Sequence, residues 1–168
     1  MYICVFKFTS MIQRIQTIYL SLAIIALALL CFFPMASFFS EMAYLKFYLT
    51  GVKNMAPDGA VPMSIAYVSP LFLGALVIAI LAGMTISLYK NRSKQIQLTN
   101  IAVMLNILFI LAVLFVYIPL IERRTGIKPD YASSIGIYLP IVSLMFLVLA
   151  NRAIKRDEKL VRSSDRLR

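Results

Sequence analysis

The sequence predicts an all-α integral membrane protein, a four-helix bundle with a cytoplasmic helical extension at its C-terminus, and three observations carry that expectation. The chain is 61% hydrophobic and 14% charged, with a mean hydropathy of +0.87, a composition that soluble domains do not have. Four stretches, residues 15–40, 59–89, 95–121 and 131–151, contain no charged side chain. Each exceeds the roughly 20 residues that a helix needs to cross about 30 Å of hydrocarbon. These stretches are continuously apolar rather than alternating, which argues against a β-barrel, and open strands cannot satisfy their backbone in lipid. The expectation is one membrane domain over residues 1–168, with spans near residues 15–38, 66–89, 98–121 and 133–151 and a basic tail over 152–168.

The first element opens with a basic start and an apolar run, the pattern of a secretory signal peptide. The run from Ile15 to Phe33 is longer than a signal core, and Pro34-Met35-Ala36 offers no clean small-x-small cleavage site, so a retained span is the preferred reading. Met11 begins a natural translation start, which would make residues 1–10 a mis-assigned leader. The rival reading of Ser10-Met11-Ile12-Gln13 is a capping box at a helix start.

Between the first two spans, Leu45, Phe47 and Leu49 alternate with Lys46, Tyr48 and Thr50, which suggests a short strand or an interfacial segment. Gly51 and Pro57-Asp58-Gly59 then supply turn chemistry. In the second span Ala75, Ala79 and Gly83 recur every four residues, a stripe that lets another helix approach closely and is read as a packing seam. In the third span Asn106 is the most polar deep side chain, and helix-to-helix bonding is preferred over substrate contact. Pro70, Pro119 and Pro140 lie near one end of their helices, each soon after a tyrosine. They read as helix-end punctuation, with a kinked cavity as the alternative.

The fourth span continues into a tail without Gly or Pro, where Glu158 and Arg162 form a favourable i,i+4 pair. Ala153, Leu160 and Leu167 fall seven apart, with Ile154 and Val161 beside the first two. That narrow stripe is flanked by Arg152, Lys155, Arg156, Lys159, Arg162 and Arg166, which together with Leu160 are the candidate contacts to anionic lipid or a partner.

Charge sets the orientation. Lys90, Arg92 and Lys94 join the second and third spans with no acid among them, and with Lys7, Arg14 and the tail they place twelve of the 17 basic residues on one side. Lys46, Lys53, Arg123, Arg124 and Lys128 lie on the other, mixed with Glu41, Asp58, Glu122 and Asp130. The positive-inside rule then puts both termini in the cytoplasm. It also explains the net charge of +10 without nucleic acid. Tyr44, Tyr48, Tyr67, Tyr117, Tyr131 and Tyr138 fall near the predicted outer interface, as amphipathic rings do.

The residues give no catalytic or metal motif. There is no histidine, and Cys4 and Cys31 stand far apart in apolar surroundings. Every carboxylate lies in a loop or the tail, so no span carries the mid-depth charge that proton or ion pathways keep. The expectation is therefore no enzyme, no cofactor and no metal.

The opening Met11-Ile12-Gln13-Arg14-Ile15-Gln16-Thr17 and the closing run Leu149-Ala150-Asn151-Arg152-Ala153-Ile154-Lys155-Arg156, continuing through Ser163-Ser164-Asp165-Arg166 to the end, resemble the bacterial family called domain of unknown function 4293. The resemblance covers the chain from Met11 onward and implies a small four-span protein of the inner membrane of Bacteroidota. It carries no catalytic residues over, and residues 1–10 depart from the pattern. The functional expectation is a non-enzymatic accessory or scaffold component that binds partners, another copy of itself or anionic lipid through the tail. A small carrier or lipid-handling protein with a cavity near the outer face is the alternative. A membrane enzyme working through Glu41, Asp58, Glu122 or Asp130 is disfavoured because these residues show no motif spacing.

Overall fold

The computed structural model describes residues 2–40, 43–55, 67–88, 91–131 and 134–165. Its helices are α1 (Tyr2–Leu29), α2 (Ser69–Ser87), α3 (Arg92–Ala112), α4 (Ile118–Thr125) and α5 (Leu139–Asp165). A π-helical turn, Val113–Tyr117, makes one rod of α3 and α4, and a 3-10 turn, Ile135–Tyr138, leads into α5. Three stretches, Ser69–Ser87, Arg92–Thr125 and Ile135–Leu160, are long and apolar enough to cross a membrane, and Ile15–Leu29 of α1 is a shorter apolar helix. By length and composition this is a membrane protein.

Both α1 and α3 pack against α2 and α5. The buried positions show how. On α2 they are Leu71, Ala75, Ile78, Ala82 and Thr85, and on α3 Gln95, Thr99, Ala102, Asn106 and Phe109. Steps of four and three residues alternate in both, the 3.5-residue spacing at which nearly parallel helices keep one seam in contact. On α1 the opposite side exposes Ile15, Ile18, Leu22, Ile25 and Leu29 at the same spacing. So long a stripe of exposed aliphatic side chains suits hydrocarbon or an apolar partner surface rather than water.

Because the chain also forms a β-sheet, all-α does not hold. Strands β1 (Ala36–Ser40), β2 (Ala43–Tyr48), β3 (Gly51–Asn54) and β4 (Pro129–Asp130) form an antiparallel sheet in the order β3-β2-β1-β4. The first span expected over residues 15–38 is correspondingly shorter: α1 stops at Leu29, and residues 36–40 belong to β1. Pro34 supplies the reason, since it lacks an N–H and pushes the preceding residue out of the helical region. Beyond it the chain pairs with β2 and β4, with Phe38 fully buried and its neighbour Phe39 71% exposed. The alternation read at Leu45 and Phe47 is strand β2, with both side chains buried and Tyr44, Lys46 and Tyr48 on the other face. The inner face of the sheet shares a single core with the helices, and Phe47 stacks on Tyr117 at 6.3 Å between ring centroids.

At the N-terminus α1 passes through residues 10–13 without a break, so Ser10-Met11-Ile12-Gln13 is helix interior and not a capping box. Pro70 and Pro119 stand in the first turns of α2 and α4, and Pro140 is the second residue of α5. At Pro70 and Pro140 a proline removes no hydrogen bond, which is the punctuation reading, whereas Pro119 lies inside the rod Arg92–Thr125 and ends no helix. Pro119 thus follows another helical segment, and its ring would clash with the carbonyl four residues back. The π turn relieves this by widening the coil, with the Ile118 N–H donating to the Val113 carbonyl five residues earlier.

The sheet and the start of α5 meet at Gly136. Its N–H donates to the Pro34 carbonyl at 2.9 Å, and a Cβ at this position would lie 2.4 Å from that same oxygen. Gly136→Ala is expected to destabilise the protein by about 2 kcal/mol, seen as a lower thermal midpoint in detergent. Gly83→Ala, where an added Cβ meets nothing within 4 Å, should be neutral or stabilising by up to about 1 kcal/mol.

Candidate functional site

The end of the molecule away from the sheet is built by the C-terminus of α2, the N-terminus of α3 and the distal half of α5. Arg92 opens α3 and reaches α5, where its Nη1 lies 3.3 Å from the Asp157 carboxylate and 3.4 Å from the Asp157 carbonyl. The Asp157 side chain is 4% exposed and that of Arg92 25%. One turn further along α3, Gln95 is buried and donates from Nε2 to the Thr85 carbonyl of α2 at 3.2 Å. These two contacts tie three helices together. In hydrocarbon or at its edge such groups must be paired, because water is not there to replace the partner.

The pairing decides the charge of the arm that follows. Asp157 continues the buried seam of Ser143, Leu147, Ala150 and Ile154 and faces inward, where Arg92 neutralises it. Glu158 is half-buried and has a partner of its own. Arg152, Lys155, Arg156, Lys159 and Leu160 are exposed. The arm thus presents four cations and one leucine on its outer side. Arg162 lies on α5 but its side chain is outside the described ones, and Arg166, Glu41, Asp58 and the turn at Pro57-Asp58-Gly59 lie outside the described residues. Of the seven-residue stripe, Ala153 is half-buried, Leu160 is 49% exposed and Leu167 lies outside the described residues, while Ile154 beside it is buried in the seam.

The other sequence candidates separate likewise. Asn106 is fully buried and its Nδ2 donates to the Ser143 hydroxyl of α5 at 3.1 Å, which in turn donates to the Ala23 carbonyl of α1 at 3.3 Å. This chain of two bonds links three helices at mid-depth. Oδ1 of Asn106 has no hydrogen-bond partner among the described residues. Along the stripe of Ala75, Ala79 and Gly83, Ala75 belongs to the buried core and Ala79 packs partly buried against it. Ala75 is buried and, with Ala79, lines an apolar groove beside Ile24, Leu27 and Phe72, whereas Gly83 has open space where its side chain would be. A second apolar groove of about 300 Å³ lies between the π turn and the start of α5, lined by Ile110, Val113, Tyr131, Tyr138, Pro140 and Ile141. Among the described residues no group of three or more His, Cys, Asp or Glu side chains could hold a metal.

Two features had no signal in the sequence reading. The partnership of Arg92 with Asp157 joins residues 65 apart, and Arg92 counted there only as one positive charge among others. The facing of Lys46 and Lys53 across strands β2 and β3 depends on a register that the alternation does not fix.

With this geometry in place the comparisons add one result. The family model described as domain of unknown function (DUF4293) matches residues 12–167. The chain belongs to that family. No curated protein and no solved structure matches it.

Removing one member of the ion pair tests its role. Asp157→Leu strands Arg92 and is expected to lower stability by roughly 2 kcal/mol, less than the 3–5 of a fully buried pair because Arg92 keeps part of its side chain exposed. Combining it with Arg92→Leu should recover most of the loss in a thermal-unfolding series.

Proposed function

We propose that this protein is a non-enzymatic accessory component of a bacterial inner membrane, crossing it four times with both termini in the cytoplasm. Its basic arm holds the anionic surface of the cytoplasmic leaflet. α1 is the fourth span in this reading, because it packs against two of the three long apolar helices and carries the lipid-facing stripe from Ile15 to Leu29. The arm then continues α5 out of a four-helix bundle into the cytoplasm. The same orientation collects Arg92, Lys94 and the arm on the side that the positive-inside rule assigns to the cytoplasm.

One observation carries the reading: Asp157 is turned inward and paired, which leaves Arg152, Lys155, Arg156 and Lys159 as the exposed charge of the arm. Each basic residue held near an anionic leaflet contributes about 1 kcal/mol. An exposed leucine among them suits the boundary between headgroups and acyl chains.

A lipid-handling carrier is the second reading, favoured by the apolar groove beside Pro140. The bonding of Asn106 Nδ2 and the Ser143 hydroxyl to other helices speaks against a solute carrier, since these two groups are occupied in packing.

The test uses the full-length chain, tagged at its C-terminus, in its native membrane. Lys155→Gln, Arg156→Gln and Lys159→Gln together should leave insertion and the thermal midpoint unchanged and lower the amount of co-purifying anionic lipid, as 0.5 M salt should do for the parent chain (a Debye length of roughly 4 Å). Unchanged lipid retention sinks the lipid assignment. A stoichiometric crosslinked protein that is lost in the triple variant would make the arm a protein adaptor instead.

A further inference from the structure

We infer that the outward face of the sheet binds the phosphate of an anionic lipid headgroup between Lys46 and Lys53, at the opposite end of the molecule from the arm. Strand register builds the face. Lys46 of β2 stands directly opposite Lys53 of β3, and Phe39 of β1 stands opposite Tyr44 of β2. Because Leu45 and Phe47 point into the core, Tyr44, Lys46 and Tyr48 share the other side.

Two like charges directly opposed on neighbouring strands repel and destabilise the pairing. Nothing described in the protein neutralises this pair. Among the described residues neither lysine makes an ion pair, and each lies over an aromatic ring: Nζ of Lys46 is 5.1 Å from the Tyr44 centroid and Nζ of Lys53 is 5.3 Å from that of Tyr48. The carboxylate in the same cross-strand row is that of Asp130, which pairs with Ser37, the residue opposite Lys46. Two strand spacings, about 9.5 Å, separate it from Lys46, and it has a partner of its own. Each ammonium group is held over its own ring, on facing strands, and among the described residues neither meets a carboxylate. A phosphate, accepting charge-assisted hydrogen bonds from both, matches that arrangement.

The apolar surroundings select a lipid as the source. Phe39 is 71% exposed and meets Tyr44 edge-on at 5.8 Å. Phe32 and Met55, which flank the sheet in the chain, are 75% and 47% exposed. The sheet also shares its core with helices whose outer sides are bare aliphatic surface. Aromatic rings beside cations, at the end of membrane-crossing helices, suit the level at which acyl chains give way to headgroups.

The experiment titrates phosphatidylglycerol into the full-length protein in mild detergent and counts bound lipids per chain by native mass spectrometry. The chain carries the arm substitutions Lys155→Gln, Arg156→Gln and Lys159→Gln throughout, so that failure here and failure of the arm reading are separate results. On that background one lipid site should remain. Lys46→Gln with Lys53→Gln should weaken it about thirtyfold, roughly fivefold per lysine, and Lys46→Arg with Lys53→Arg should restore it. The Gln pair relieves a repulsion and is expected to keep the thermal midpoint, which reports that the fold is intact. Unchanged lipid binding in the Gln pair overturns the proposal. Inorganic phosphate competing at the same concentration as the lipid would reassign the face to a soluble phosphate and overturn the lipid source.

Discussion

A polypeptide inside hydrocarbon has no water to bond with, and every backbone N–H and C=O must find a partner within the protein. That constraint sorts this chain. Among the described residues, where the chain is uncharged and uninterrupted it is helical, and strands occur where Pro34, Gly51 and Gly126 have ended the helices or turned the chain, at the level where the sheet can pair its own ladder. The same rule acts on side chains. Gln95, Asn106, Ser143 and Asp157 are buried and bonded while Ile18, Leu73, Met104 and Met145 are exposed, the reverse of a soluble domain.

The polar interior also gives the helices their register. Thr85, Gln95, Thr99, Asn106, Ser143 and Asp157 all lie on buried seams, and several reach a neighbouring helix. Aliphatic packing against lipid discriminates weakly between one helix face and another, because the tails outside are as apolar as the side chains inside. Hydrogen bonds at mid-depth and at one end supply that discrimination. The seam is accordingly specified by a handful of polar groups more than by its aliphatic residues.

This explains which parts of the fold were legible in the sequence. The long apolar helices were visible because length and absence of charge suffice to mark them, and the strand around Phe47 was visible through its alternation. The inward faces were not, since Leu73 and Leu76 are exposed and Leu71 and Ile78 buried with nothing in residue type to separate them. The seam was marked only by the common phase of Thr85 with its neighbours and of Gln95, Thr99 and Asn106, of which Asn106 alone stands out as a deep polar side chain. β1 was hidden because Ala36, Phe38 and Phe39 prolong an apolar run and only Pro34 breaks it. The basic arm could be read as charge, but its sidedness depends on a contact with Arg92 that chain distance conceals.

The π turn sets a phase. Down the rod formed by α3 and α4 the buried line runs Ala102, Asn106, Phe109, Val113 in steps of four and three, then jumps five residues to Ile118 before resuming at Ile121. An uninterrupted α-helix would have turned Val116 inward next, three residues after Val113, and Val116 is instead 54% exposed. The added residue rotates the upper part of the rod by about 100° relative to the lower. One helix thereby serves two environments, its lower part facing other helices and its upper part presenting Tyr117, Ile118 and Ile121 to the core beneath the sheet. A single-residue deletion between 113 and 117 would leave the rod equally helical and equally apolar while turning the sheet's support away from it. Length along this segment is thus a coordinate of the fold in its own right, independent of composition.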